Sequence, residues 1–324
     1  VTGEYQRLLY KMARAYYFDN LTQNQIARRF GLSRIKVSRL LKQARQSKIV
    51  NITLSAPSGV MSDLEAQLER KFGLEEVMVI PVENNDDLGG VARELGPAAA
   101  ECLSRRIHGD EIIGITWGTT MMAVIDALGS KSWPEVQIVQ MNGGLGPVGM
   151  VEHSTELASR LAQKLNAKLR LLLAPGIVSN KPAAEALKSD KQIAQTLALA
   201  ARADIAIVGM GIPSADSVLM SDGSILSQHD LEVLRQNGAV GDIGLRYINT
   251  LGEPLELEIN ERIIGLTFEQ IKNIPHVIAV AGGARKYEII RAALRSKIPN
   301  ILVTDHLTAQ KLVNDDNYPN NDRN

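Results

Sequence analysis

The sequence predicts an α/β chain in two parts, a winged helix-turn-helix over residues 1–56 and a mostly parallel, Rossmann-like sheet domain over residues 57–324. Three observations point there. Basic charge is gathered at one end, the first fifty residues carry helical periodicity with turn signals at the right spacing, and from residue 77 onward short apolar runs alternate with amphipathic stretches.

The chain of 324 residues holds 36 basic and 36 acidic side chains, a balance that conceals its distribution. Residues 1–50 contain eleven Lys or Arg against only Glu4 and Asp19, a net +9, which leaves −9 for the remainder. A basic head on an acidic body suits binding to a phosphate backbone by one end. The longest apolar runs are too short to span a bilayer, and no signal peptide is read at the start. The single cysteine, Cys102, excludes an internal disulfide framework, fits a reducing cytosol and reads as a core residue.

In the head, Tyr5, Leu8, Leu9, Met12, Ala15 and Tyr16 recur at three- and four-residue spacing and predict a helix over 4–18. Thr22 with Gln25 forms a capping box that opens a short helix burying Ile26, Ala27 and Phe30. Gly31 stops it, Ser33 caps the next, and Val37, Leu40, Leu41 and Ala44 turn inward. The opposite face displays Ser33, Arg34, Ile35, Ser38, Arg39 and Lys42, the side chains expected in a major groove. Arg34 and Arg39 suit guanine edges, Ile35 a thymine methyl, and Ser33, Ser38 and Lys42 phosphates; Thr22, Gln23 and Lys36 complete the expected DNA-contacting set. Alternation over 49–54 predicts the strand of a wing.

Residues 55–59 read as a linker, and Met61, Leu64, Leu68 and Phe72 as the stripe of a helix that packs on the body or on a second copy. Strands are predicted at 77–81, 111–116, 136–141, 168–174, 204–208, 277–281 and 300–304. Helices are predicted at 88–107, 119–129, 153–165, 182–202, 228–237, 267–273, 285–297 and 306–313, and a disordered tail at 314–324. In such a sheet, ligands sit beyond the carboxyl ends of the strands.

Several strand ends carry unusual residues. Gly118 followed by Thr119 and Thr120 at a helix start offers backbone N–H groups and hydroxyls to a phosphate or carboxylate. Asn142, Gly143 and Gly144 open a loop with a GxGxxG spacing (Gly144, Gly146, Gly149), but Pro147 and the lack of an acidic residue after the next strand speak against a dinucleotide. The GMGIP run at 209–213 reads as packing. Asp242 among glycines can accept from sugar hydroxyls, and Gly282 and Gly283 let a ligand near the backbone while Lys286 supplies charge. The five histidines are scattered, with no carboxylate pair, Cys-His couple or metal spacing, so neither an enzyme nor a metal or cofactor is expected.

The chain resembles the SorC family of bacterial sugar-responsive regulators. The resemblance is carried by LTQNQIA (21–27), GLSRIKVSRLL (31–41), GITWGTT (114–120), NGG (142–144), AVGDI (239–243) and VAGG (280–283) with Lys286. It implies a body similar to the sugar isomerase and CoA-transferase sheet, a DNA-binding tetramer and a sugar or sugar-phosphate effector. Thr119 and Thr120 would hold the phosphate with Lys286 nearby, and Asp242 would hold hydroxyls. The expected partners are thus operator DNA, the effector and further copies of the chain, without a membrane.

Overall fold

A computed structural model describes residues 3–52, 61–144, 148–214 and 226–316, with the backbone alone over 148–153. The chain divides into two compact units, Val1–Pro57 and Ser58–Asn324.

The head is three helices, α1 (Gly3–Tyr17), α2 (Gln23–Phe30) and α3 (Arg34–Gln46). Leu9, Met12, Ile26, Val37, Leu40, Leu41 and Ala44 form its core. Both cap signals of the sequence are realised. Gln25 N donates to Thr22 Oγ1 at 3.3 Å while Thr22 N donates to Gln25 Oε1 at 2.8 Å, and Lys36 N donates to Ser33 Oγ at 3.2 Å. Between them Gly31 takes φ 65°, the left-handed conformation that a tight turn into α3 needs and that L side chains adopt at a cost. Tyr16 departs from expectation: it is exposed, and Tyr17 takes the half-buried place beside the core. Residues 49–52 form no strand, with Ile49 and Val50 packed against the head core instead; the remainder of the expected wing and the linker at 55–59 lie outside the described residues.

The body carries strands β1 (Glu76–Ile80), β2 (Ile112–Ile115), β3 (Gln137–Gln140), β4 (Lys168–Arg170), β5 (Ile205–Val208), β6 (Met210–Gly211), β7 (Gly241–Ile243), β8 (Arg246–Ile248), β9 (His276–Val280) and β10 (Ile301–Asp305). Seven of them form one parallel sheet in the order β1-β10-β9-β5-β2-β3-β4. Ile205 and Ile207 of β5 face one core, Ala206 and Val208 the other, and β9 and β10 alternate in the same way. Burial on both faces is why these strands read in the sequence as continuous apolar runs.

The helices are α4 (Ser62–Phe72), α5 (Leu88–Arg106), α6 (Thr119–Ala127), α7 (Val148–Leu165), α8 (Lys181–Ser189), α9 (Lys191–Ala200), α10 (Gln228–Gln236), α11 (Glu258–Glu261), α12 (Phe268–Lys272), α13 (Tyr287–Ser296) and α14 (His306–Val313). α5, α6 and α7 contribute to the core on one face of the sheet, and α4, α9, α12, α13 and α14 to the core on the other. α4 therefore packs on its own body, and it also shields an edge: Glu65 and Glu69 accept from Val79 N and Val77 N, both at 3.0 Å, so β1 does not present those donors for pairing with another chain.

Three expectations are corrected. The helix expected over 182–202 is two, because the Asp190 carboxylate accepts from Gln192 N and Ile193 N and starts α9 afresh. The strand expected over 168–174 ends at Arg170, since Leu172 N turns to the Gln140 side chain at 2.8 Å. The tail is ordered through Asp316; Asp315 is buried, its carbonyl accepts from Lys71 Nζ and its carboxylate faces Arg291 at 3.5 Å, while 317–324 lie outside the described residues.

A second sheet, β6-β7-β8, is antiparallel and was not foreseen. Its strands have two or three residues each, too few to show a period. Arg246 fastens it to the segment before α12 by donating to the carbonyls of Leu266 and Asn260, both at 2.7 Å, and of Gly265 at 3.0 Å. Burial lowers the pKa of this guanidinium to about 10.

Candidate DNA-reading face and effector pocket

In the head, α2 and α3 contain no Asp or Glu and seven Lys or Arg. Ser33, Arg34, Ile35, Lys36, Ser38, Arg39 and Lys42 are all exposed, and Ile35 is 67% exposed, an apolar side chain on a cationic helix face. Thr22 is exposed and Gln23 half-buried at the start of α2. The hydroxyl oxygens of Thr22 and Ser33 already serve as helix caps, so either one meets DNA only through its remaining hydrogen-bonding capacity. The acidic residue Asp19 is engaged with Arg29 of α2 at 3.8 Å.

In the body, the chain runs from β2 outward to β3 and β4, then returns to the other side of β2 with β5 and continues through β9 and β10. The crevice beyond the carboxyl ends of β2 and β5 is therefore the topological switch point, where open parallel sheets bind ligands. A cavity of about 250 Å³ opens there, lined by Thr116 to Met121 after β2, Asn142 after β3, Gly209 to Ile212 after β5, Asp242 and Leu245 from the second sheet, and Arg285 and Lys286 after β9.

Six of the expected effector residues thus share one cavity: Gly118, Thr119, Thr120, Asn142, Asp242 and Lys286. Gly118 is the N-cap of α6 at φ 140° and supplies no side-chain cap, so the first N–H groups of that helix lie open beside the hydroxyls of Thr119 and Thr120. Asp242 is buried, with Leu245 N donating to its carboxylate at 2.9 Å. Burial pushes its carboxyl up to about 6, with the Leu245 amide and the Lys286 charge pulling the other way. Burial also lowers the Lys286 ammonium, an effect that Asp242 opposes. Asn142 is buried and its Oδ1 has no partner among the described residues, and the same holds for the buried indole nitrogen of Trp117, another residue of the cavity lining.

Gly143, Gly144, Gly282 and Gly283 do not line the cavity. Gly143 N donates to Ile264 O at 2.9 Å and Gly144 N to Ala174 O at 3.0 Å, so these amides knit neighbouring segments and are not free for a pyrophosphate; 145–147 lie outside the described residues. A Cβ on Gly282 would lie 2.6 Å from Asp305 Oδ2, and Gly283 N donates to that oxygen at 2.7 Å, so this pair closes the junction with β10. Conversely, the run at 209–211, read from sequence as packing alone, lies on the cavity wall. A Cβ on Gly211 would stand 2.2 Å from Asp242 Oδ1, which makes the missing side chain a condition for the carboxylate's position. Its position at the end of the strand next to β2 was the available signal.

Among the described residues no helix is long and apolar enough to cross a membrane, and no group of three or more His, Cys, Asp or Glu is placed to hold a metal ion. Cys102 is buried, and burial pushes its thiol up to about 11, against the nearby Arg106 charge.

Residues 57–314 match the family described as "Putative sugar-binding domain", and residues 13–47 match the one described as "Sigma-70, region 4". Among curated proteins, the chain is 32% identical to the transcriptional regulator LsrR of an Enterobacter species over 95% of this chain and 93% of that one. It is 31% identical to the deoxyribonucleoside regulator of Bacillus subtilis over 96% and 99% of the two chains. Among solved structures, the full-length sorbitol operon regulator SorC of Klebsiella pneumoniae superposes with a TM-score of 0.72 at 26% identity, covering 96% of this chain and all of that one. A DeoR family regulator of Listeria monocytogenes gives 0.71 at 31% identity, covering 78% and 98%. With a cationic three-helix reader at one end and a sugar-binding sheet domain over most of its length, the chain belongs to the SorC family of sugar-responsive, DNA-binding transcription regulators.

Proposed function

We propose that the cavity at the switch point takes a sugar phosphate and that its occupancy sets the affinity of a homotetramer for operator DNA in the cytoplasm. The observation that carries the reading is the meeting of three kinds of group in one cavity. The uncapped N-terminus of α6 with Thr119 and Thr120 suits an anion, Lys286 adds a cation, and Asp242 and Asn142, which line the same space, carry oxygens that can accept from hydroxyls. Arg34, Ile35, Lys36, Ser38, Arg39 and Lys42 enter the major groove, with Arg39 and Arg34 on guanine edges and the others on a thymine methyl or on phosphates, and Thr22, Gln23 and Ser33 approach the backbone. Oligomers present paired heads to spaced half-sites, so a change of subunit packing changes affinity without altering any base contact.

Titration calorimetry with ribose 5-phosphate, glucose 6-phosphate, fructose 6-phosphate and their unphosphorylated counterparts tests the pocket. Binding of a phosphorylated member at least tenfold tighter than its parent sugar is expected, and equal affinity would remove the anion subsite. Arg39→Ala tests the head: discrimination between operator and random duplex should fall by about 1–3 kcal/mol, and unchanged discrimination removes Arg39 from the base-reading set.

A further inference from the structure

Two polar side chains of the cavity wall are engaged with backbone amides. Thr116 Oγ1 accepts from Gly209 N at 3.3 Å, and the Asp242 carboxylate accepts from Leu245 N at 2.9 Å. Two buried atoms of residues that line the cavity have none among the described residues: the indole Nε1 of Trp117, which can only donate, and Oδ1 of Asn142, which can only accept. Trp117 packs against both the main-sheet core and the small core around Tyr247, and the backbone of Asn142 is bridged to Gly265, so neither residue is a loose surface group. Neither atom meets solvent, and an unpaired buried donor or acceptor costs about 1–3 kcal/mol. A hydroxyl is both donor and acceptor, and a polyol offers the two together.

Resting on the reading of this cavity as a sugar site, we propose that Trp117 is a specificity-determining residue, which donates its indole N–H to an effector oxygen while Asn142 accepts from an effector hydroxyl. The pocket then favours a polyhydroxylated ligand over a deoxygenated one, because the latter leaves this donor and acceptor as unpaired as they are in the empty protein. Neither atom is exposed, so binding must turn or shift both side chains slightly to bring Nε1 and Oδ1 onto the ligand, which makes the indole fluorescence a reporter.

The chain has two tryptophans, so Trp133→Phe leaves Trp117 as the sole indole of the full-length protein. This variant is titrated with the sugar phosphates named above and with 2-deoxyribose 5-phosphate and 2-deoxyglucose 6-phosphate, reading both heat and emission. Adding Trp117→Phe should weaken the best polyol phosphate by about tenfold or more and bring it closer to its deoxy analogue. With 3-benzothienylalanine at position 117, which keeps the packed bicycle and removes the orphan donor, the melting temperature without ligand should hold or rise. Should Trp117→Phe fold poorly, 3-benzothienylalanine at position 117 keeps the bicycle and removes only the N–H, with the same expectation for affinity. Equal affinity and equal discrimination with and without the N–H would overturn the assignment of Trp117 alone. No binding of any panel member to the Trp133→Phe protein would overturn the sugar reading, and this assignment with it.

Discussion

At the residue scale, Asp242 connects chemistry to stability. Its carboxyl is raised to about 6 in the folded chain, chiefly by burial, while an exposed aspartate titrates near 3.8. The folded protein therefore binds this proton more tightly than the unfolded chain, and the associated stability is fully present below pH 3.8 and lost as pH rises through about 6. Asp242→Asn, which keeps an acceptor for Leu245 N, should stabilise the ligand-free protein by roughly 2–3 kcal/mol at pH 8. The gain should vanish near pH 4. Urea melts at the two pH values check this, and a gain independent of pH would mean that burial does not govern the carboxyl. Gly211 gives a complementary test. Because a Cβ there would collide with Asp242 Oδ1, Gly211→Ala should weaken effector binding by about tenfold or more while operator affinity without effector stays unchanged. Loss of both together would contradict the separation of pocket from head.

At the element scale, caps do measurable work. Thr22→Ala removes one half of the capping box and should destabilise the head by about 1 kcal/mol, visible as earlier loss of helical signal in a thermal melt. If operator affinity falls with no loss of stability, Thr22 acts on DNA directly and its capping role is minor. Element legibility in the sequence followed the same physics. The head could be read almost residue by residue, because Thr22, Gly31 and Ser33 are positions where backbone geometry demands a particular side chain or none. The strands of the parallel sheet were legible as apolar runs since both of their faces are buried. What escaped was decided by tertiary contact. The Asp190 break depends on one cap, the small sheet β6-β7-β8 is too short to carry a period, and Gly282 and Gly283 answer to Asp305 on a strand distant in sequence. Tyr16 and Tyr17 are adjacent aromatics on one helix, and periodicity alone chose the wrong one.

At the scale of the whole molecule, charge and chemistry are divided between two compact units: the cationic reader lies in the first, and the cavity with its buried carboxylate lies in the second. On the proposed function, effector binding changes no base contact and acts only on the population of subunit arrangements. Six of the ten expected effector residues converged on the switch-point cavity because strand ends gather there whatever their distance in sequence, and the remaining four are glycines at backbone junctions.

The most direct test is fluorescence anisotropy of the full chain on duplex DNA from the region upstream of its own gene, against random duplex of equal length, at moderate salt, with and without the tightest-binding sugar phosphate. Specific binding at least a hundredfold tighter than to random duplex, shifted tenfold or more by the effector and left unshifted in Asp242→Ala, is the expected result. Equal affinity for both duplexes, or an effector shift that persists in Asp242→Ala, would contradict it.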